Sequence, residues 1–303
     1  MSSTFETHHL YCRDGRTRIT LVLGDCMEGM TTLVAPESVD VIVTSPPYNI
    51  GVSYNTYDDT VDRATYLKFM SSWAELVRRC LSPNGSLFLN MGSKPTDPWI
   101  PWEVAQLMRD KFHLQNVIHW IKAISIDKDS VGERSDLQTS LSVGHYKPVN
   151  SNRFLNDCHE YIFHFTKTGK VPLDRLAIGV PYQDKSNIGR WQSANQDLRC
   201  RGNTWFIPYE TIQDREKERP HPATFPVRLP EMCIKLHGLD RCSLVMDPFA
   251  GLGTTALACR NLNKEFIGFE IDRGYYEDAK VRLSSAVPPG REGMPSLFDA
   301  IES

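Results

Sequence analysis

Short runs of apolar, partly β-branched residues alternate along the chain with longer stretches whose apolar positions recur every three or four residues. Ile19-Thr20-Leu21-Val22-Leu23 is the first such run, and Gly24-Asp25 turn the chain after it. Val39-Asp40-Val41-Ile42-Val43-Thr44 is the second, stopped by Ser45-Pro46-Pro47-Tyr48. Between residues 63 and 80, Leu67, Met70, Trp73, Leu76, Val77 and Cys80 share one helical face. Pro83-Asn84-Gly85 punctuates that helix, and Ser86–Asn90 resumes a strand. A helix over Pro101–Phe112 leads to a strand over Asn116–Ile121, and His159–Thr166 repeats the strand pattern. The rhythm then restarts with a helix from about Pro226 to His237, a strand over Ser243–Met246, a helix over Thr254–Leu262 and a strand over Glu265–Glu270. Such alternation predicts an α/β fold on a doubly wound, mostly parallel sheet.

Two stretches break the rhythm. Residues 123–153 are polar and without clear period, which predicts a long loop of the kind that is usually functional or mobile. Residues 170–219 carry nine Lys/Arg against seven Asp/Glu, with Trp191, Trp205 and Tyr209 interleaved, and read as an inserted module rather than more sheet. No internal repeat is visible, and the tail from Ser284, with Pro288-Pro289-Gly290, reads as extended or disordered apart from Leu297-Phe298.

Composition narrows the classes. The 303 residues are 41% hydrophobic and carry a net charge of −3, so no global basic field draws the protein onto nucleic acid and any such surface must be a local patch. No apolar run approaches the roughly 20 residues of a membrane span, and Met1–Glu6 lacks the basic and apolar regions of a signal peptide. The eight cysteines include no C-x-x-C pair, which argues against a zinc ribbon or a redox pair. The expectation is a cytoplasmic protein with reduced thiols, no metal site and no membrane contact.

Candidate chemistry sits in two turns. Asp247-Pro248-Phe249-Ala250-Gly251-Leu252-Gly253-Thr254-Thr255 lies between a predicted strand and a predicted helix, where glycines let backbone approach a ligand. Glu270 ends the next strand, 19 residues after Gly251, where a carboxylate accepts from ribose hydroxyls. The third glycine of a dinucleotide fingerprint is missing, and Asp247 is a poor neighbour for pyrophosphate. A cationic sulfonium ligand suits the turn better, favouring S-adenosylmethionine over a nicotinamide dinucleotide. In the other turn, Pro46 and Pro47 remove two backbone donors and present the Pro46 carbonyl rigidly, beside the Ser45 hydroxyl and the Tyr48 ring. Two acceptors and an aromatic face suit an exocyclic amine on a nucleobase. No Gly-x-Ser-x-Gly elbow surrounds Ser45, so a serine hydrolase is excluded.

Thr44-Ser45-Pro46-Pro47-Tyr48-Asn49-Ile50-Gly51 and Asp247–Thr254 resemble the catalytic and cofactor motifs of DNA amino-methyltransferases, which methylate cytosine N4 or adenine N6. The catalytic motif precedes the cofactor motif, as in the permuted β-type arrangement of that family. His221-Pro222-Ala223-Thr224-Phe225-Pro226 and Phe266–Asp272 are similar to its linking segments, so the resemblance spans about residues 19–283. It implies a Rossmann-like methyltransferase fold with a catalytic half (1–169), a target-recognition insertion (170–219), a cofactor half (220–283) and a flexible tail (284–303).

The resemblance also implies roles. Asp247, Phe249, Gly251, Gly253 and Thr254 shape the methionine pocket, Thr224 and Phe225 line its other side, and Glu270 holds the ribose. Asp25 accepts from the adenine amine of the cofactor, or is simply a turn aspartate after a strand. Ser45 and the Pro46 carbonyl accept from the target amine, Pro47 completes the motif, and Tyr48 stacks on a base flipped out of double-stranded DNA. Ser-Pro-Pro-Tyr is the form seen mostly in cytosine-N4 enzymes, with adenine-N6 methylation or a catalytically inert DNA-binding protein as alternatives. Lys122, Lys147, Arg153, Lys185, Arg190, Arg199 and Arg201 are candidate DNA contacts. His159-Glu160 is expected to make structural hydrogen bonds rather than transfer protons. Possible partners are a cognate restriction endonuclease, a second copy of the chain, and a sliding clamp reached through Met294-Pro295-Ser296-Leu297-Phe298.

Overall fold

A strand buried on both faces reads as a nearly unbroken apolar run, and the central strands here are of that kind. A computed structural model describes residues 5–12, 14–131, 137–144, 149–190, 196–208 and 224–285. Its strands are β1 (Glu6–Tyr11), β2 (Arg18–Leu23), β3 (Val39–Thr44), β4 (Leu81–Met91), β5 (His113–Ile121), β6 (Ile124–Ile126), β7 (Leu141–Val143), β8 (His159–Thr166), β9 (Thr204–Phe206), β10 (Leu244–Asp247) and β11 (Glu265–Glu270). Nine of them form one sheet in the order β1-β2-β11-β10-β3-β4-β8-β5-β9, while β6 and β7 pair separately. Only β1 and β8 run against the other seven strands of the large sheet. The sheet is therefore mostly parallel.

Helices α1 (Cys26–Leu33), α2 (Arg63–Cys80) and α3 (Ile100–Met108) cover one face. Helices α4 (Arg228–His237), α5 (Thr254–Leu262) and α6 (Arg273–Ser285) cover the other. Along β3 the side chains alternate between the two cores: Val41 and Val43 pack with α4 to α6, and Ile42 with α1 to α3. Helix α2 starts at an Asp62 cap that accepts from Thr65 N–H, and buries Tyr66, Met70, Trp73, Ala74, Val77 and Cys80 along one stripe. Strands β3 and β10 lie side by side, yet the chain leaves β3 toward β4 and β10 toward β11. Their carboxyl ends thus form a topological switch point, the place where open α/β sheets bind ligands.

Several elements differ from the sequence reading. Strand β4 begins at Leu81 rather than Ser86; its register against β3 jumps from Val39↔Leu81 to Val41↔Ser86, so Pro83-Asn84-Gly85 bulge from the strand. The expected loop at 123–153 contains the short β6–β7 pair. Residues 170–219 are not wholly apart from the sheet. Thr204–Phe206 form its outermost strand, parallel to β5, and Trp205 is 1% exposed beside the equally buried Trp120. Val171 and Ile178 are buried as well. Strand β1 and helix α1 had no hydrophobic signature: β1 is a largely exposed edge, and Gly29, Thr31 and Thr32 blur the apolar stripe of α1. The Leu297-Phe298 tail lies outside the described residues. Among the described residues no helix is long and apolar enough to cross a membrane.

Candidate active site

The turn between β10 and α5 is organised by a buried carboxylate. Asp247 is 2% exposed. Its Oδ1 accepts from Thr44 Oγ1 at 2.7 Å and from the Phe249 N–H at 3.1 Å, and its Oδ2 accepts from Thr255 Oγ1 at 2.7 Å. Burial pushes its pKa up to about 6 although these bonds favour the ionised form. Asp247 therefore ties the end of β3 to the turn. Gly251 (φ +50°) and Gly253 (φ +71°) occupy the left-handed region that glycine tolerates. Gly253, expected at the cofactor, sits instead at the N-cap of α5, where a Cβ would lie 3.4 Å from Ala279 and Leu283 of α6. A Cβ there would make only ordinary contact, so what this position asks of glycine is its left-handed φ.

The carboxyl ends of β2, β3, β10 and β11 surround an open cavity. Asp25, Thr224, Phe225, Asp247, Phe249, Gly251, Thr254 and Glu270 all line it, and so do Ser45 and Pro47. Asp25 caps α1, accepting from Met27 and Glu28 N–H through Oδ1 alone. Being exposed, it keeps Oδ2 accessible to a ligand, so the turn and binding readings are compatible. Glu270 Oε2 accepts from Gly251 N–H at 2.8 Å, and Oε1 from Asp272 N–H at 2.8 Å. Each oxygen retains a lone pair for a ligand donor. Burial pushes the Glu270 pKa up to about 7, against those two backbone bonds. The Phe249 ring is fixed by Trp73 (centroids 5.8 Å apart) and Phe69 (6.4 Å). Such walls suit a ligand with adjacent hydroxyls and a positive charge, since a cation relieves the cost of ionising two buried carboxyls.

One wall was not anticipated from sequence. Asp59, 1% exposed, accepts from four consecutive backbone N–H groups, those of Asn49, Ile50, Gly51 and Val52, at 2.8 to 3.1 Å. It folds the segment after the Ser-Pro-Pro-Tyr turn so that Tyr54, Thr56 and Tyr57 line the cavity. The two tyrosine rings meet edge to face, 6.2 Å apart. Asn49 (φ +58°) and Gly51 (φ +82°) take the left-handed conformation within this segment.

The Ser-Pro-Pro-Tyr turn divides. Ser45 and Pro47 face the cavity, whereas Pro46 is buried and Tyr48 lies behind, outside the wall. Tyr48, expected as a stacking face, is only 8% exposed, with its ring so close to the backbone that a Cβ at Gly92 would fall 2.8 Å from Cε2. Its hydroxyl is 2.6 Å from Ser45 Oγ, 2.7 Å from Asn90 Nδ2 and 3.1 Å from Glu160 Oε2. Glu160 also accepts from Asn90 Nδ2 at 2.7 Å and pairs with Lys122 Nζ at 3.0 Å. Burial works to raise the Glu160 carboxyl, but the Lys122 ammonium and the Asn90 and Tyr48 donors outweigh it and hold the group below the ordinary glutamate range.

That ion pair corrects one expected DNA contact: Lys122 is turned inward, its side chain 16% exposed. Arg201 is half-buried and donates to the Ile178 carbonyl, and Lys185 pairs with Asp197 at 2.6 Å. Arg153, Arg190 and Arg199 are exposed. Arg153 stacks over Phe154, on the segment whose Cys158 carbonyl accepts from Lys122 N–H. Lys147 lies outside the described residues. Among the described residues no group of three His, Cys, Asp or Glu could hold a metal.

Known proteins resemble this chain in sequence and in fold. The N6/N4 methyltransferase family model, described as DNA methylase, matches residues 39–281. The type II methyltransferase M.HpaI of Haemophilus parainfluenzae is 31% identical over 252 residues, covering 82% of this chain and 69% of its own. In fold the chain is similar to the cytosine-N4-specific PvuII DNA methyltransferase (TM-score 0.61, 19% identity, 94% of this chain and 91% of that one). It is similar also to the M1.HpyAVI–SAM complex (TM-score 0.51, 20% identity, 87% and 99%).

Proposed function

The chain belongs to the N6/N4 DNA methylase family, and from that premise we propose that it methylates the exocyclic N4 amine of cytosine in double-stranded DNA. It is a DNA methyltransferase and its methyl donor is S-adenosylmethionine. The cavity fits that donor: Glu270 offers two oxygens to ribose hydroxyls, Asp25 an oxygen to an amine, and Asp247 and Glu270 together favour a cation. When bound, S-adenosylmethionine supplies an electrophilic methyl group on a sulfonium sulfur.

The observation that carries the reading is that Ser45 lines the same cavity as Gly251 and Glu270. An aromatic amine is a weak nucleophile because its lone pair is delocalised into the ring. Ser45 Oγ and the Pro46 carbonyl accept its two hydrogens, which favours a pyramidal nitrogen with a localised pair. Positioning of this kind can lower a barrier by about 7–11 kcal/mol. Tyr66, whose hydroxyl donates to the Pro47 carbonyl at 2.8 Å, fixes the turn that follows Pro46. Ser45 in place of an aspartate at the head of the tetrapeptide supports cytosine over adenine. Arg153, Arg190 and Arg199 supply phosphate contacts, and a type II relative supports pairing with a restriction endonuclease.

The test is to digest DNA from cells expressing the protein and weigh the nucleosides. N4-methyldeoxycytidine is expected, and it should vanish with Ser45→Ala. N6-methyldeoxyadenosine in its place would move the assignment to the adenine enzymes.

A further inference from the structure

Behind the cavity wall a row of hydrogen bonds runs from Ser45 to the Lys122–Glu160 pair, and its polarity can be worked out. The Glu160 carboxylate accepts only. Tyr48 has one hydroxyl proton, and Glu160 Oε2 lies 3.1 Å away to receive it. Were that proton turned elsewhere, two oxygens would face each other with nothing between them. Asn90 Nδ2 donates to the Tyr48 hydroxyl as well as to Glu160. The 2.6 Å contact between Ser45 and Tyr48 is then made with the proton of Ser45. A serine whose proton is committed behind the wall meets the cavity with lone pairs alone.

We propose that Glu160 is a positioning residue for methyl transfer: acting through Tyr48, it orients the Ser45 hydroxyl so that its oxygen can only accept from the target amine. This rests on the reading of Ser45 as an amine acceptor given above. Lys122 is the counter-charge that keeps the acceptor end of the row anionic, and Asn90 reinforces the same direction by donating to both oxygens. A serine free to rotate would spend part of its time presenting a proton to the amine instead. Glu160 touches neither donor nor base, so its effect falls on the rate of transfer and not on cofactor affinity.

The experiment is single-turnover methylation of duplex DNA by wild type, Ser45→Ala, Glu160→Gln, Tyr48→Phe and the Tyr48→Phe/Glu160→Gln pair, with S-adenosylmethionine affinity and melting temperature alongside. A glutamine amide can donate to Tyr48 and free the row to reverse. Glu160→Gln is therefore expected to lower the transfer rate about tenfold or more, while the cofactor Kd and KM stay within about twofold of wild type. With the Tyr48 hydroxyl removed, Glu160→Gln is expected to cost nothing further. An equal loss on both backgrounds, or a loss matched by weaker cofactor binding, overturns the role. So does a wild-type rate in Glu160→Gln while Ser45→Ala is slow. A wild-type rate in Ser45→Ala overturns the acceptor reading itself.

Lys122→Met approaches the same point without altering the row, and decides it should Glu160→Gln fail to fold. Without the ammonium, burial raises the Glu160 carboxyl, and a neutral carboxyl can donate. The transfer rate is then expected to fall at acid pH and recover as pH rises, relative to the wild-type profile. The other groups facing Glu160 are Tyr48, Tyr54, Asn90, Asp157 and His159, and these are common to both proteins. A Lys122→Met profile that overlays wild type contradicts the proposal.

Discussion

Raising the pH from 6 to 8 is expected to tighten S-adenosylmethionine binding about tenfold, through Glu270. Its carboxyl lines the cavity and titrates near 7 because burial opposes the charged form more than two backbone N–H bonds favour it. Ribose hydroxyls that donate to it, and a cation nearby, both select the ionised form. With a pKa of about 7 the ionised fraction rises from about one in eleven at pH 6 to about ten in eleven at pH 8, a factor of about ten or 1.4 kcal/mol. Binding at the lower pH should release close to one proton. Calorimetry across this range, in buffers of different ionisation enthalpy, measures both quantities. In Glu270→Gln the dependence should collapse to no more than about twofold, the share left to Asp247, which titrates near 6. A wild-type affinity that does not move between pH 6 and 8, with no proton released, refutes Glu270 as the ribose acceptor.

The same group sets a trend in stability whose sign is opposite to that of an ordinary paired carboxylate. Its folded pKa lies above its usual value of 4.5, so between about 4.5 and 7 the ligand-free folded protein binds more protons than the unfolded chain. Its contribution to stability is lost as pH rises through that window. Unfolding free energies of wild type and Glu270→Gln should therefore diverge by up to about 3 kcal/mol, in favour of the variant, between pH 4.5 and pH 8.

Trp205→Ala should cost about 3–5 kcal/mol in denaturant unfolding, because the ring is buried beside Trp120. A cost below about 1 kcal/mol would mean that the outer strand is an appendage after all. Gly253→Ala forces a left-handed alanine against Ala279 and Leu283 and should cost about 1–2 kcal/mol of stability. Its S-adenosylmethionine affinity should be unchanged, and a loss of affinity would return Gly253 to the cofactor site. Arg153→Ala and Arg199→Ala should each weaken DNA binding and reduce the salt slope by about one. A slope that stays put removes that side chain from the phosphate contacts.

The sheet was legible because its parallel strands are buried on both faces and stand out as apolar runs, and because Pro, Gly and Asp punctuate their ends. Thr254–Leu262 and Glu265–Glu270 are found where the periodicity puts them. What escaped lacked such a contrast. Strand β1 is an exposed polar edge, and β6, β7 and β9 are each three residues long. At the cavity, residues next to a strand end could be read from position alone, as with Ser45, Asp247 and Glu270. Asp59 could not, because a carboxylate that gathers four N–H groups some ten residues away leaves no spacing signature. Glu160 makes the structural hydrogen bonds expected of it, whereas Lys122 misleads for a related reason. Lys122 belongs in sequence to a polar loop and Glu160 to a strand edge, and only the antiparallel pairing of β5 with β8 brings them together behind Tyr48.

The most direct measurement of the central claim, that the donor cavity and the Ser-Pro-Pro-Tyr turn are one site, is a crystal structure of the protein with S-adenosylmethionine and a duplex containing its target. The ribose should lie on Glu270 and the methionine against Phe225 and the Asp247–Thr254 turn. The sulfonium methyl should stand about 3–3.5 Å from an everted cytosine amine whose hydrogens point to Ser45 and the Pro46 carbonyl. A ligand bound in the cavity with its methyl group directed away from Ser45, or an amine held by other acceptors, would contradict it.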